Sequence, residues 1–125
     1  MQNDKSNFKN QFDQRLVSFS ISILKFSQKN KQDQFLNPVF IQLIRSSTSV
    51  GANVFEAKSA SSKREYTHYF QIALKSANET KYWLTILGKS STSLTQEARS
   101  LYKEADEISR IIASSILTLK GKKSI

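Results

Sequence analysis

The 125-residue chain has no cysteine, one histidine, one proline and three glycines. Without cysteine there is no disulfide framework and no thiolate metal site. The lone His68, with no Glu-x-x-His motif, does not supply the ligands of a di-iron bundle centre or a zinc site, so no metal is expected. Scarce Gly and Pro remove the turn residues that many short strands need, which favours a few long helices. Neither a glycine-rich phosphate loop nor a Ser–His–acid arrangement can be read from the spacing, so the expectation is a protein that is not an enzyme and carries no cofactor. Long hydrophobic runs are missing too. The longest apolar stretch, Ile111 to Leu119, is interrupted by Ser114 and Ser115 and falls far short of the roughly 20 residues needed to cross a bilayer. Met1 to Gln14 is polar and of mixed charge, without a signal-peptide core. These absences make the expected protein soluble and cytoplasmic, with no membrane partner.

What is present is helical periodicity. Phe8, Phe12, Leu16, Phe19, Ile23 and Phe26 recur at three- and four-residue steps, one face of a helix over about 8–28. Val17, Ile21 and Leu24 form a second apolar stripe on that helix, which needs a partner of its own. After a polar loop, Asn37-Pro38 reads as an N-cap followed by proline at the first helical position of a helix over about 38–58. Its inner face would be Phe40, Leu43, Ile44, Ser47, Gly51, Val54 and Phe55, and its middle is a run of small residues that helix propensity alone would not hold. Ser62-x-x-Glu65 is a capping box opening a third helix over about 63–87, with Gly88 as a left-handed stop. Ser90 to Thr95 reads as a loop, and a fourth helix spans about 95–120, with Ala98, Leu101, Ala105, Ile108, Ile112, Ser115, Ile116 and Leu119 inward. The expected fold is all-α, an antiparallel up-down-up-down four-helix bundle formed by one domain over residues 1–125.

Charge is lopsided: 19 Lys and Arg against ten Asp and Glu, a net +9. An excess of that size on a small domain attracts polyanions such as RNA, DNA or acidic protein surfaces. Along the third helix Arg64, His68, Gln71, Lys75, Asn78, Tyr82 and Lys89 share the face opposite the core, a row able to follow phosphates with Tyr82 available to stack on a base. On the fourth, Arg99, Lys103 and Arg110 align, with Asp106 among them and able to form an intrahelical ion pair. Solvated faces of a lysine-rich protein have the same composition, so neither stripe decides the matter alone. The tail Lys120-Gly121-Lys122-Lys123 adds an electrostatic arm or is simply a solvated end. A third stripe, Arg45, Ser49, Ala52, Asn53 and Glu56 on the second helix, is either a small-residue packing face or a contact with another helix or subunit.

The run Leu43-Ile44-Arg45-Ser46-Ser47-Thr48-Ser49-Val50-Gly51-Ala52-Asn53-Val54-Phe55-Glu56-Ala57 resembles the hallmark second helix of the four-helix bundle family of 23S rRNA-intervening-sequence proteins, whose usual form is close to L-R-S-(small)-(T/V)-S-(I/V)-G-A-N-I-x-E-A. The similarity continues through Ser62-Lys63-Arg64-Glu65, Ile72-Ala73-Leu74-Lys75 and Glu79-Thr80-Lys81-Tyr82-Trp83-Leu84, and covers roughly the middle half of the chain. Its motif positions here are Arg45, Ser49, Gly51, Asn53, Glu56, Glu79 and Trp83, and Tyr66 stands where Phe is common. The resemblance implies a homo-oligomer, a ring-like pentamer. It also implies kinship with the accessory variability proteins of diversity-generating retroelements, which are basic, bind nucleic acid and partner a reverse transcriptase. On that footing the expected function is non-enzymatic nucleic-acid binding, RNA foremost, through Arg64, Lys75, Tyr82, Lys89, Arg99, Lys103 and Arg110. The alternative is a scaffold docking a partner such as a reverse transcriptase.

Overall fold

In the computed structural model, residues 4–121 are described. They form four helices: α1 (Asp4–Lys29), α2 (Asn37–Ala57), α3 (Lys63–Ser90) and α4 (Thr92–Leu119). There is no strand among the described residues. Each helix packs on its sequence neighbour and α1 closes the ring against α4, while neither diagonal pair brings its backbones together. Cross-helix contacts fix the senses. Leu16 packs on Gly51 and Asp13 pairs with Lys58 just past the end of α2; Ser46 and Ser49 meet Thr80 and Ser76; Lys81 meets Asp106, and Gly88 further along α3 meets Ala98. As numbers rise along one helix they fall along its neighbour.

The apolar stripe of α1 supplies Phe12, Leu16, Phe19, Ile23 and Phe26 to the core. Phe40, Leu43, Val50 and Val54 of α2, Phe70, Leu84 and Leu87 of α3, and Ile108, Ile112 and Ile116 of α4 complete it. Phe26 meets Phe40 edge-on with ring centroids 5.4 Å apart, a favoured aromatic geometry. The small-residue middle of α2 is held by packing and by hydroxyls turned inward. Ser46, Ser47 and Thr80 are all buried, Thr80 Oγ1 lies 2.9 Å from Ser46 Oγ, and Ser47 donates to the Ile44 carbonyl at 3.2 Å. Among the described residues no buried side-chain polar atom lacks a partner, so these hydroxyls escape the desolvation penalty of an unsatisfied group.

Several expectations are corrected. Gly88 does not stop α3: the helix continues to Ser90, and only Ser91 (φ −153°) separates it from α4, so the loop expected over Ser90–Thr95 is nearly absent. A Cβ at Gly88 would lie 3.3 Å from the Ala98 Cβ, so this glycine serves close helix approach rather than a left-handed turn. The left-handed residue is Gly121 (φ 69°), just past α4. Asn37 is the first residue of α2 rather than its cap; Leu36 holds the cap position without a side-chain bond, and the Asp33 carboxylate accepts from its N–H at 3.1 Å instead. The capping box forms by half: Ser62 Oγ accepts from the Glu65 N–H at 3.1 Å, but the Glu65 carboxylate accepts from Ser61. Phe8 and Phe55, both expected inward, are 54% and 46% exposed. Phe8 stacks on Phe12 in an open groove between α1 and α4, and Phe55 turns onto the outer side of α2 beneath the Lys58 ammonium, 4.6 Å from its ring centre. Lys122 and Lys123 lie outside the described residues. Among those described, no helix is long and apolar enough to cross a membrane.

Core and surface positions of α1 separate these effects. Ile23→Ala, at a fully buried site, is expected to lower unfolding stability by about 2–5 kcal/mol. Lys25→Ala, on the exposed side of the same helix, is expected to change it by less than about 0.5 kcal/mol. Urea denaturation followed by helical circular dichroism checks both.

Candidate nucleic-acid interface

The α3–α4 pair is the most extensively packed in the molecule. Several of its buried residues are small: Ala73, Ala77, Ala98 and Ala105 are at 1% exposure or less, and Gly88 lies against Ala98. Small side chains let two helix axes approach and leave long side chains to the outside. At about 100° per residue, Arg64, Lys75, Tyr82 and Lys89 fall in one sector of α3, and Arg99, Lys103 and Arg110 in one sector of α4. The contacts of Lys81 with Asp106 and Ser109, 3.2 Å each, mark the seam between the helices. Both sectors lie on the outward side of that seam, so the structure brings the two stripes onto one face. All seven residues are exposed.

Their electrostatic states differ. Arg64, Lys75, Lys89, Arg99 and Lys103 make no ion pair among the described residues. Arg110 does: its Nε donates to Asp106 Oδ2 at 3.0 Å, one turn away, so its charge is partly neutralised. Asp106 is thus shared between two cations. The Lys81 ammonium first, then the Arg110 guanidinium, hold its carboxyl below the ordinary carboxylate range. Lys81, which its position in the sequence does not set apart, is the residue that stitches the seam. Tyr82 is 58% exposed, its ring edge-on to Trp83 with centroids 5.1 Å apart. His68 is exposed beside Tyr69 and makes no hydrogen bond among the described residues.

Four of the ten carboxylates are paired with cations of α1 or with Lys58. Arg15 of α1 grips Glu104 through two bonds of 2.7 and 2.8 Å and reaches Glu107 at 3.4 Å; Lys29 holds Glu97 at 2.7 Å; Lys58 holds Asp13. This leaves the α3–α4 face cationic. The motif residues gather elsewhere, along α2 and its border with α3. Gly51 admits Leu16, since a Cβ there would sit 3.4 Å from the Leu16 Cβ. Ser49 is 3.0 Å from Ser76 Oγ and from Asn53 Nδ2, and Glu79 accepts from the Trp83 indole at 2.9 Å. Arg45 and Glu56 are exposed and make no ion pair among the described residues. A different surface spans α1 and α2, where Val17, Ile21, Leu24, Ile41 and Phe55 are each 45–48% exposed.

No group of three or more potential metal-ligating side chains occurs among the described residues. A sequence model of the family described as 23S rRNA-intervening sequence protein matches residues 9–114. A solved structure from Bacteroides thetaiotaomicron VPI-5482, described as a protein with unknown function from the S23 ribosomal protein family, is 33% identical, with a TM-score of 0.74 over 84% of this chain and 97% of that one. Comparison with curated proteins gives no match.

The Asp106 arrangement gives a pH test. A carboxyl held below its unfolded value, about 3.9, stabilises the fold fully above that value, and the contribution is lost as pH falls through the lower folded-state value. Wild type is therefore expected to lose stability on acidification below about pH 4 more steeply than Asp106→Asn, as read by urea midpoints along a pH series.

Proposed function

The chain belongs to the 23S rRNA-intervening sequence protein family, and from that premise we propose that it is a cytoplasmic, non-enzymatic, oligomeric bundle whose outer α3–α4 face binds RNA through the phosphate backbone. The observation that carries this reading is the set of exposed cations on that face, Arg64, Lys75, Lys89, Arg99 and Lys103, which have no acidic partner among the described residues. Lys75 and Lys89 alone span about 21 Å of helix at 1.5 Å per residue, enough to follow several phosphates. Arg110, tied to Asp106, contributes less. Exposed Tyr82 offers a π-face to any unpaired base, which suits binding without sequence readout.

Phosphate binding by five cations gives a log–log salt slope of about −3.5 for a single strand to −4.5 for a duplex. Fluorescence anisotropy with labelled RNA is expected to show that slope, and Lys75→Glu with Lys103→Glu is expected to reduce it by about two. Absence of binding at low salt, or binding insensitive to salt, contradicts the reading.

Self-association is the second part of the proposal. The exposed apolar residues of the α1–α2 side, Val17, Ile21 and Leu24 of α1 with Ile41 near Leu24 and Phe55 at the other end of α2, are more greasy surface than scattered single residues provide. They fit a contact between copies, and the family resemblance makes the expected assembly a pentamer. Ile21→Glu is expected to reduce the sedimenting mass with helix content unchanged. A wild type that sediments as one chain contradicts this part.

A further inference from the structure

The polar links between α1 and α4 run from Lys29–Glu97 to Arg15–Glu104 and Glu107. Before Arg15 no ion pair among the described residues ties the two helices, and there they part. The resulting groove, about 1130 Å³, runs along the N-terminal turns of α1 and the C-terminal turns of α4, closed at its base by the α2–α3 connection. Its floor is apolar: Phe8, Phe12, Tyr66, Phe70, Ile111 and Leu119 line it. Phe8 stacks on Phe12 with centroids 6.4 Å apart, and Tyr66 on Phe70 at 5.0 Å. Burial, with Asp13 adding and Lys58 opposing, pushes the Tyr66 phenol above its ordinary range, as a low-polarity floor requires. Lys9, Lys58, Lys63 and Arg110 also line it, against the single acid Asp13, which Lys58 already holds.

We propose that this groove docks an amphipathic helical segment of a partner protein, seating apolar residues on the floor and setting acidic side chains against Lys9 and Lys63. Charge complementarity selects the partner: an apolar floor with a cationic border fits a helix that is greasy on one face and acidic at its edges. A second copy of this chain, itself at net +9, brings like charge to that border. A small molecule fits poorly, because the groove is open along its length and larger than the roughly 300–1,000 Å³ clefts that enclose such ligands. The proposal is distinct from the RNA reading, whose face lies on the outer side of α3 and α4; of the residues named for that face only Arg110, already tied to Asp106, also borders the groove.

The test uses the full chain and a fluorescein-labelled synthetic helical peptide with Leu at i, i+3, i+4 and i+7 and Glu at the flanking positions. Its controls are a scramble of identical composition and a version with Lys for every Glu. Anisotropy is expected to show saturable binding of the patterned acidic peptide, at least about tenfold tighter than either control, since apolar register and charge each contribute. Phe8→Glu and Lys63→Glu, both at exposed positions, are each expected to weaken it, whereas Lys25→Glu on the outward side of α1 leaves it unchanged. Equal binding of the scramble or of the Lys peptide overturns the proposal. So does Phe8→Glu that binds as wild type, or that alters only the oligomeric mass, which would make the groove a contact between copies.

Discussion

The most extensive packing in the bundle depends on side chains that are small. Ala73 and Ala77 of α3 and Ala98 and Ala105 of α4 are small and buried, and Gly88 is drawn against Ala98 at the end where the helices join. Because these positions carry little beyond a Cβ, the two helices lie close, and their long cationic side chains have nowhere to go but outward. The same smallness recurs at Gly51, where Leu16 of α1 enters α2, and at the hydroxyl contacts Ser46–Thr80 and Ser49–Ser76 between α2 and α3. Large apolar residues from all four helices then fill the centre. A bulky side chain at the α3–α4 seam would separate the helices and, with them, the two rows of cations they hold on one face.

Distribution of the acids matters as much as the number of bases. Glu97, Glu104 and Glu107 on the α1-facing side of α4 are drawn toward Arg15 and Lys29, and Asp13 toward Lys58. Lys29–Glu97 is solvent-accessible and adds little stability, on the order of 0.2–1 kcal/mol, whereas Arg15–Glu104 and Lys58–Asp13 are partly buried. The effect all of them share is positional. They place negative charge on the α1 side of the bundle and leave the opposite side to uncompensated cations. Asp106 is the exception, sitting at the edge of the cationic face and engaged by Lys81 and Arg110.

Periodicity in the sequence was enough to place all four helices and most of the core, because apolar residues at three- and four-residue spacing have one physical reading in a chain with so few turn residues. It was weakest where one residue type serves two ends. A glycine at the close of an apolar pattern reads as a left-handed stop, yet Gly88 is a helical residue whose missing Cβ makes room for Ala98, ten residues on, which only the tertiary register brings near. Phe8 and Phe55 continue their stripes by spacing, but Phe8 faces the open α1–α4 groove and Phe55 lies under Lys58. The cationic rows could be read from the sequence one helix at a time. That they share a face, that Lys81 bridges them, and that Arg15 withdraws the glutamates are consequences of how α1, α3 and α4 are aligned. The groove between α1 and α4 is likewise a property of where their contacts stop, which no local pattern encodes.

The central claim, that the outer α3–α4 face is where nucleic acid meets the protein, is tested most directly by lysine acetylation footprinting with mass spectrometry, with and without saturating RNA at low salt. The account predicts protection of Lys75, Lys89 and Lys103, with Lys25 and Lys31, on α1 and the turn that follows it, remaining reactive. Protection centred on Lys25 and Lys31, or an equal loss of reactivity at every lysine, would contradict it.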